Sequence, residues 1–124
     1  MRIEYLEKGS PDCPIVKIYN CTLDEYKYLC NQFNLLHKSD NSFKLNDTPS
    51  TLNIEFNVGE LNQGVKLKDD SNFICILTKG AYKNIADLVS PFITKYEKEN
   101  QSTRFQWLNE DSDISLLLST NGKW

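Results

Sequence analysis

The side chains able to do chemistry are few and poorly grouped. His37 is the only histidine, so any nucleophilic triad, Cys–His pair or imidazole metal site would have to use it. No serine stands in a Gly-x-Ser-x-Gly elbow. His37 ends a helix-forming stretch, where a partly cationic imidazole interacts favourably with exposed carbonyls, and a capping or rim position is expected of it. Cys13, Cys21, Cys30 and Cys75 are separated by seven, eight and forty-four residues, which offers no Cys-x-x-Cys knuckle and no basis for a zinc site. Cys30 and Cys75 lie within apolar patterns and read as small core residues.

Phosphate cradles are missing as well, since the five glycines form neither Gly-x-Gly-x-x-Gly nor a lysine-ending P-loop. The run Asn109-Glu110-Asp111-Ser112-Asp113 opens like a calcium loop. Ile114, however, replaces the required glycine, and Thr120 stands where a bidentate Glu belongs, so a solvated hairpin tip is the better reading. No pair of carboxylates for glycoside hydrolysis can be selected from the seventeen scattered acids. The sequence therefore assigns no catalytic residue, no cofactor and no metal ligand.

Three features qualify instead as contact surface. Tyr28 and Leu35 point away from the apolar arc of their helix and lie nearly above one another. Glu110, Asp111 and Asp113 make a negative tip suited to a basic partner. Trp124 is open to either use, core or anchor, whereas Phe105 and Trp107 are read as core.

The elements that must position these residues follow from hydrophobic periodicity. Ile15-Val16-Lys17-Ile18-Tyr19 reads as a strand between Pro14 and Asn20. Thr22 and Glu25 then have the spacing of a reciprocal capping box, and Leu23, Tyr26, Leu29, Cys30, Phe33, Leu36 and His37 share one side of the helix that follows. Leu52, Ile54, Phe56 and Val58 alternate with polar residues as a half-buried strand; Val65 and Leu67 suggest a short one. Phe73 to Leu77 is apolar on both sides and is expected to be covered on both faces. Thr78 offers a second N-cap, before an apolar arc from Ala81 to Tyr96 that runs through Pro91, giving one bent helix or two pieces sharing a face. Thr103 to Leu108 and Asp113 to Leu118 form a hairpin, and Asn121-Gly122 can fold Lys123-Trp124 back. The clusters 9–12, 46–50, 68–72 and 109–112 read as turns.

The predicted order is β-α-β-β-β-α-β-β, an α+β fold with a mainly antiparallel sheet and two helices packed on one face. At 124 residues the whole chain, 1–124, is expected to form a single domain with its own core. No internal repeat is legible. The opening residues lack a leader pattern and no apolar run spans a membrane, so a cytoplasmic protein with reduced thiols is expected; the Asn-x-Ser/Thr triplets at Asn20, Asn46 and Asn100 count as chance matches. Twelve Lys and two Arg are scattered, and the net charge is −3, which argues against a nucleic-acid backbone as partner. Taken together, these features point to a non-enzymatic protein-binding module, for example a small inhibitor or an immunity protein that masks a toxin. Two alternatives stand beside it. One is a small-molecule binder or enzyme with a pocket between sheet and helices, lined by Tyr26, Tyr82 and Tyr96 with Cys or His at its mouth; the other is a homo-oligomeric structural protein built through an edge strand or the Tyr28 and Leu35 face.

Overall fold

The computed structural model describes residues 1–8, 13–47, 52–98, 104–110 and 112–124, with the side chains of 97 and 98 excluded. The turns expected at 9–12 and over 48–50, the start of a strand at Thr103, the triplet at Asn100 and the contact residue Asp111 lie outside the described residues. Ten elements follow one another: β1 (Arg2–Leu6), β2 (Ile15–Tyr19), α1 (Leu23–Lys38), β3 (Ser42–Asn46), β4 (Asn53–Val58), β5 (Gly64–Asp69), β6 (Asn72–Leu77), α2 (Lys79–Lys98), β7 (Phe105–Asn109) and β8 (Ser115–Ser119). The α+β class and the mainly antiparallel pairing hold. Two strands are added, β1 and β3, and the strands divide into two four-stranded sheets, ordered β1-β2-β8-β7 and β3-β4-β6-β5.

Both sheets obey one rule. Each is built from two antiparallel hairpins whose inner strands run parallel, β2 beside β8 and β4 beside β6. The chain is consequently two successive ββαββ halves that exchange their second hairpins. Matching positions can be read from the register. Ile3 faces Ile18 as Val65 faces Cys75, and Tyr5 faces Val16 as Leu67 faces Phe73. Ile54 and Phe56 lie beside Phe73 and Cys75 as Leu116 and Leu118 lie beside Val16 and Ile18.

The helices repeat the same correspondence. Thr22 and Thr78 are both N-caps, each accepting from the backbone N–H three residues on at 3.2 Å. Counted from these caps, Tyr26 matches Tyr82, Leu29 matches Ile85, Phe33 matches Val89 and Leu36 matches Phe92, and all eight are buried. Cys30 and Ala86 also match, and they touch, the thiol lying 3.6 Å from the Ala86 carbonyl. A pseudo-twofold axis thus passes between the helices where they cross. They run antiparallel, because Tyr26 meets Phe92 at one end while His37 Nδ1 lies 3.1 Å from the Lys79 carbonyl at the other. α2 continues through Pro91 as one helix, with Pro91 on its exposed side.

A single core joins both sheets to both helices. Phe33 is at its centre, with ring centroids 5.1 Å from Phe56, 5.2 Å from Phe43 and 6.1 Å from Tyr82. Coverage of the sheets differs from expectation. β6 is buried on one face only, while β8 is buried along its whole length and β2 over its first four residues. The outer face of that sheet is closed by the chain end: Ser119 Oγ donates to the Lys123 carbonyl at 2.7 Å and accepts from the Gly122 N–H at 3.0 Å. Gly122 makes the turn with φ 86°, in the left-handed region that favours glycine.

Candidate functional site

The α2 cap and the β7–β8 hairpin together make a groove. Asn62 Oδ1 accepts from the Thr78 N–H at 2.8 Å, which ties the connection before β5 to the start of α2. Across from it, Ser112 braces the hairpin tip: its hydroxyl lies 2.6 Å from the Ile114 carbonyl and 3.0 Å from Asn109 Oδ1, and it accepts from the Val65 N–H at 3.3 Å. Gly64, at φ 78°, sits so close to Ser112 that a Cβ would overlap its side chain, so only glycine fits the junction. Between these anchors lies an open groove of about 400 Å³. Leu77, Ile85 and Leu108 lie beneath it, almost wholly covered, beside the small Ala81, and its accessible surface is mainly polar. Asn62, Asn84, Asn109 and Glu110 form the rim, with Trp107 alongside.

The matching place in the first half is filled. Ala81 corresponds to Glu25, Gln63 to Met1 and Gly64 to Arg2; Leu45 pairs with Ile54 as Asn109 pairs with Leu116 across the bulge in β7, so Asp47 has no counterpart among the described residues. There Met1 packs against the core and its ammonium lies 3.0 Å from Glu25 Oε1. The same oxygen accepts from the Thr22 N–H at 2.9 Å, completing the capping box. Partial burial alone would raise the Glu25 pKa, but the Thr22 N–H and the Met1 ammonium outweigh it and hold the carboxyl below its ordinary range. Arg2 Nε lies 3.3 Å from the buried Asp47 carboxylate.

The residues singled out from sequence do not converge. Tyr28 and Leu35 are exposed on α1 as expected, at 46% and 40%, although Tyr28 also sets its edge against Phe43 with centroids 6.4 Å apart. Glu110 is exposed on the groove rim, and Asp113 is exposed beyond it. Trp124 folds back over Lys17. No hydrogen bond, ion pair or ring contact among the described residues joins Tyr28 or Leu35 to Glu110, Asp113 or Trp124. Phe105 and Trp107 depart from the core reading: Phe105 is 46% exposed and Trp107 half-buried. The cause is register, since β7 is an edge strand that turns Gln106 toward core-facing Leu118 and hence its neighbours outward.

The tyrosines offered for a pocket serve other ends. Tyr26 and Tyr82 are buried, and the Tyr82 hydroxyl lies 2.7 Å from the Asn57 carbonyl and 3.1 Å from that of Cys75, while Tyr96 is 45% exposed. Burial raises both buried phenols above their ordinary range and pushes the Cys21 and Cys75 thiols up to about 12, Glu25 adding to the effect at Cys21. His37 stands in the last turn of α1, and its ring bonds the first carbonyl of α2. Among the described residues no group of three or more His, Cys, Asp or Glu side chains could hold a metal ion, and no helix is long and apolar enough to cross a membrane.

One residue escaped sequence reasoning altogether. Lys17, only 6% exposed, is held on the outer face of its sheet by Glu4 at 2.9 Å and the Gly122 carbonyl at 2.8 Å, with the Tyr19 and Trp124 rings 4.8 and 5.0 Å away. Strand alternation assigns it to solvent, and only the returning chain end buries it. No protein-family model, no curated protein and no solved structure matches this chain.

Proposed function

We propose that the chain is a protein-binding module whose contact surface centres on the groove beside α2, of the functional class that includes small inhibitors and the immunity proteins that mask toxins. One observation carries the reading. The groove rim holds Asn84 and Glu110 exposed and, among the described residues, without a hydrogen-bond or ion-pair partner. Polar side chains of this kind supply the hydrogen bonds at the rim of a protein contact. The single rim carboxylate of Glu110 and the net charge of −3 favour a basic partner.

The test is to isolate the protein with its partner and map the contact by carboxyl footprinting and hydrogen exchange. Stoichiometric association should protect Glu110 and the first turn of α2. A clean monomer, or a partner that protects only other faces, would overturn the reading.

The groove's volume also favours a second reading, a small-molecule site, because about 400 Å³ falls in the range of ligand pockets. A ligand that binds the native state must raise the melting temperature by mass action, so a thermal-shift screen of metabolites separates the two.

A further inference from the structure

The four edge strands of the two sheets are not defended alike. β1 carries Arg2 and Glu4, β3 carries Lys44, and β5 carries Lys66, Lys68 and Asp69, with Val65 of β5 further occupied by its bridge to Ile114. Charges of this kind keep an edge from pairing with another chain. β7, Phe-Gln-Trp-Leu-Asn, has none. Apart from any foreign partner at the groove, we infer that β7 is a self-association edge, which joins the β1-β2-β8-β7 sheets of two copies of this chain into one about a twofold axis through Gln106.

Register fixes which backbone groups are on offer. The Thr120 N–H donates to the Arg104 carbonyl at 2.9 Å, and the same register continues as Phe105 with Ser119 and Gln106 with Leu118. Bonded and unbonded pairs alternate along antiparallel strands, so Gln106 turns its backbone toward β8 while Phe105 and Trp107 turn theirs to the open edge. There the Trp107 carbonyl accepts from the Gln106 carboxamide of its own chain at 3.1 Å, which leaves its second lone pair for another donor. Among the described residues no strand lies beyond that edge.

Outward-facing residues on either side of Gln106 suit a twofold axis. Phe105 falls opposite Trp107 of the second copy, and the two exchange both of their N–H to carbonyl bonds. Their rings share the outer face with Ser119 and Leu117, where Phe105 is 46% exposed and Trp107 half-buried. Aromatic pairs directly across neighbouring strands attract, and no like charges meet along the five residues. The same operation on β3 would bring Lys44 close to its own copy. Pairing one edge with itself also closes at two copies, because the far edge of each sheet is the charged β1.

The test is sedimentation velocity of the purified chain from about 5 µM to about 1 mM, with residue-resolved hydrogen exchange at both ends of the series. The expected result is a monomer–dimer equilibrium with its half-point at about 10–300 µM, as befits a small edge contact. Exchange at the Phe105 and Trp107 amides should slow at least about fivefold in the dimer, while the Gln106 amide, already bonded to β8, changes little. Phe105→Lys, which gives β7 the charge the other edges carry, should raise the half-point at least about tenfold without lowering the melting temperature of the dilute chain. Phe105→Tyr, which keeps the ring, should hold it within about threefold. Tyr28→Lys, on the exposed face of α1, should leave it unchanged. A chain that stays monomeric at about 1 mM, or that grows beyond two copies, overturns the inference. So does a dimer that Tyr28→Lys breaks and Phe105→Lys spares, or one whose Phe105 and Trp107 amides exchange as fast as in the monomer.

Discussion

The first ββαββ half closes its helix start with its own side chains, and the second leaves the same place open. In the first, Glu25 serves the Thr22 N–H and the Met1 ammonium at once, and Arg2 lies against Asp47. In the second, Asn62 reaches in from the preceding connection to serve the Thr78 N–H, and the position of Glu25 belongs to Ala81. The two arrangements satisfy the same backbone donor, which every helix start must do. They differ in what remains afterwards: a plugged, ion-paired corner in one half, an open groove in the other. Within one chain, the same framework is closed at one helix start and open at the other.

The comparison can be broken at three depths. The largest effect is expected in the core, where matching positions carry unequal loads. Phe33→Ala removes a ring wedged among Phe43, Phe56 and Tyr82 and should cost about 3–5 kcal/mol in urea unfolding, against roughly 2 kcal/mol for Val89→Ala at the matching site. Equal losses would mean that the halves bear load alike and that the ring cluster has no special weight.

Exchange of the two cap designs comes next. Glu25→Ala removes the reciprocal cap and the ammonium contact and should cost about 1 kcal/mol, whereas Ala81→Glu, whose N–H Thr78 already caps, should stay within about 0.5 kcal/mol of wild type. A large loss in Ala81→Glu would show that the second half cannot tolerate the first half's arrangement.

The smallest effect is a pH dependence confined to the first half. The Glu25 carboxyl is held below its ordinary value near 4.5 in the folded chain, so its contribution is complete above that value and fades as pH falls through the lower folded value. Stability measured from pH 6 downward should decline less steeply in Glu25→Gln than in wild type. Parallel curves would mean that the Met1 and Thr22 contacts are too weak in solution to hold the proton off.

Most elements were legible because each carried its own signal. The Thr22–Glu25 capping box and the alternation of Ile54 and Phe56 needed nothing beyond neighbouring residues. β1 and β3 were missed for a shared reason: each is an edge strand of five residues with only two well-spaced apolar side chains facing inward, Ile3 and Tyr5 or Phe43 and Leu45, so pairing across the sheet defines them more than local pattern does. The repeat was invisible because the halves share burial and not identity, as Phe33 with Val89 or Leu36 with Phe92 illustrates. Tyr28, Leu35 and Glu110 could be placed at the surface from periodicity and turn signals alone. The groove could not, since Asn62, Ala81 and Glu110 become neighbours only through the exchanged hairpins.

That exchange has a consequence for synthesis. The sheet β3-β4-β6-β5 draws on one uninterrupted stretch, Ser42 to Leu77, and can pair as soon as that stretch has left the ribosome. The other sheet seats β8 beside β2, with Ser115 against Ile15, so β2 must wait for about a hundred further residues with its inner edge bare. A nascent chain stopped before β7 should therefore present a sticky strand to chaperones, and slow delivery of the final hairpin should favour aggregation over completion.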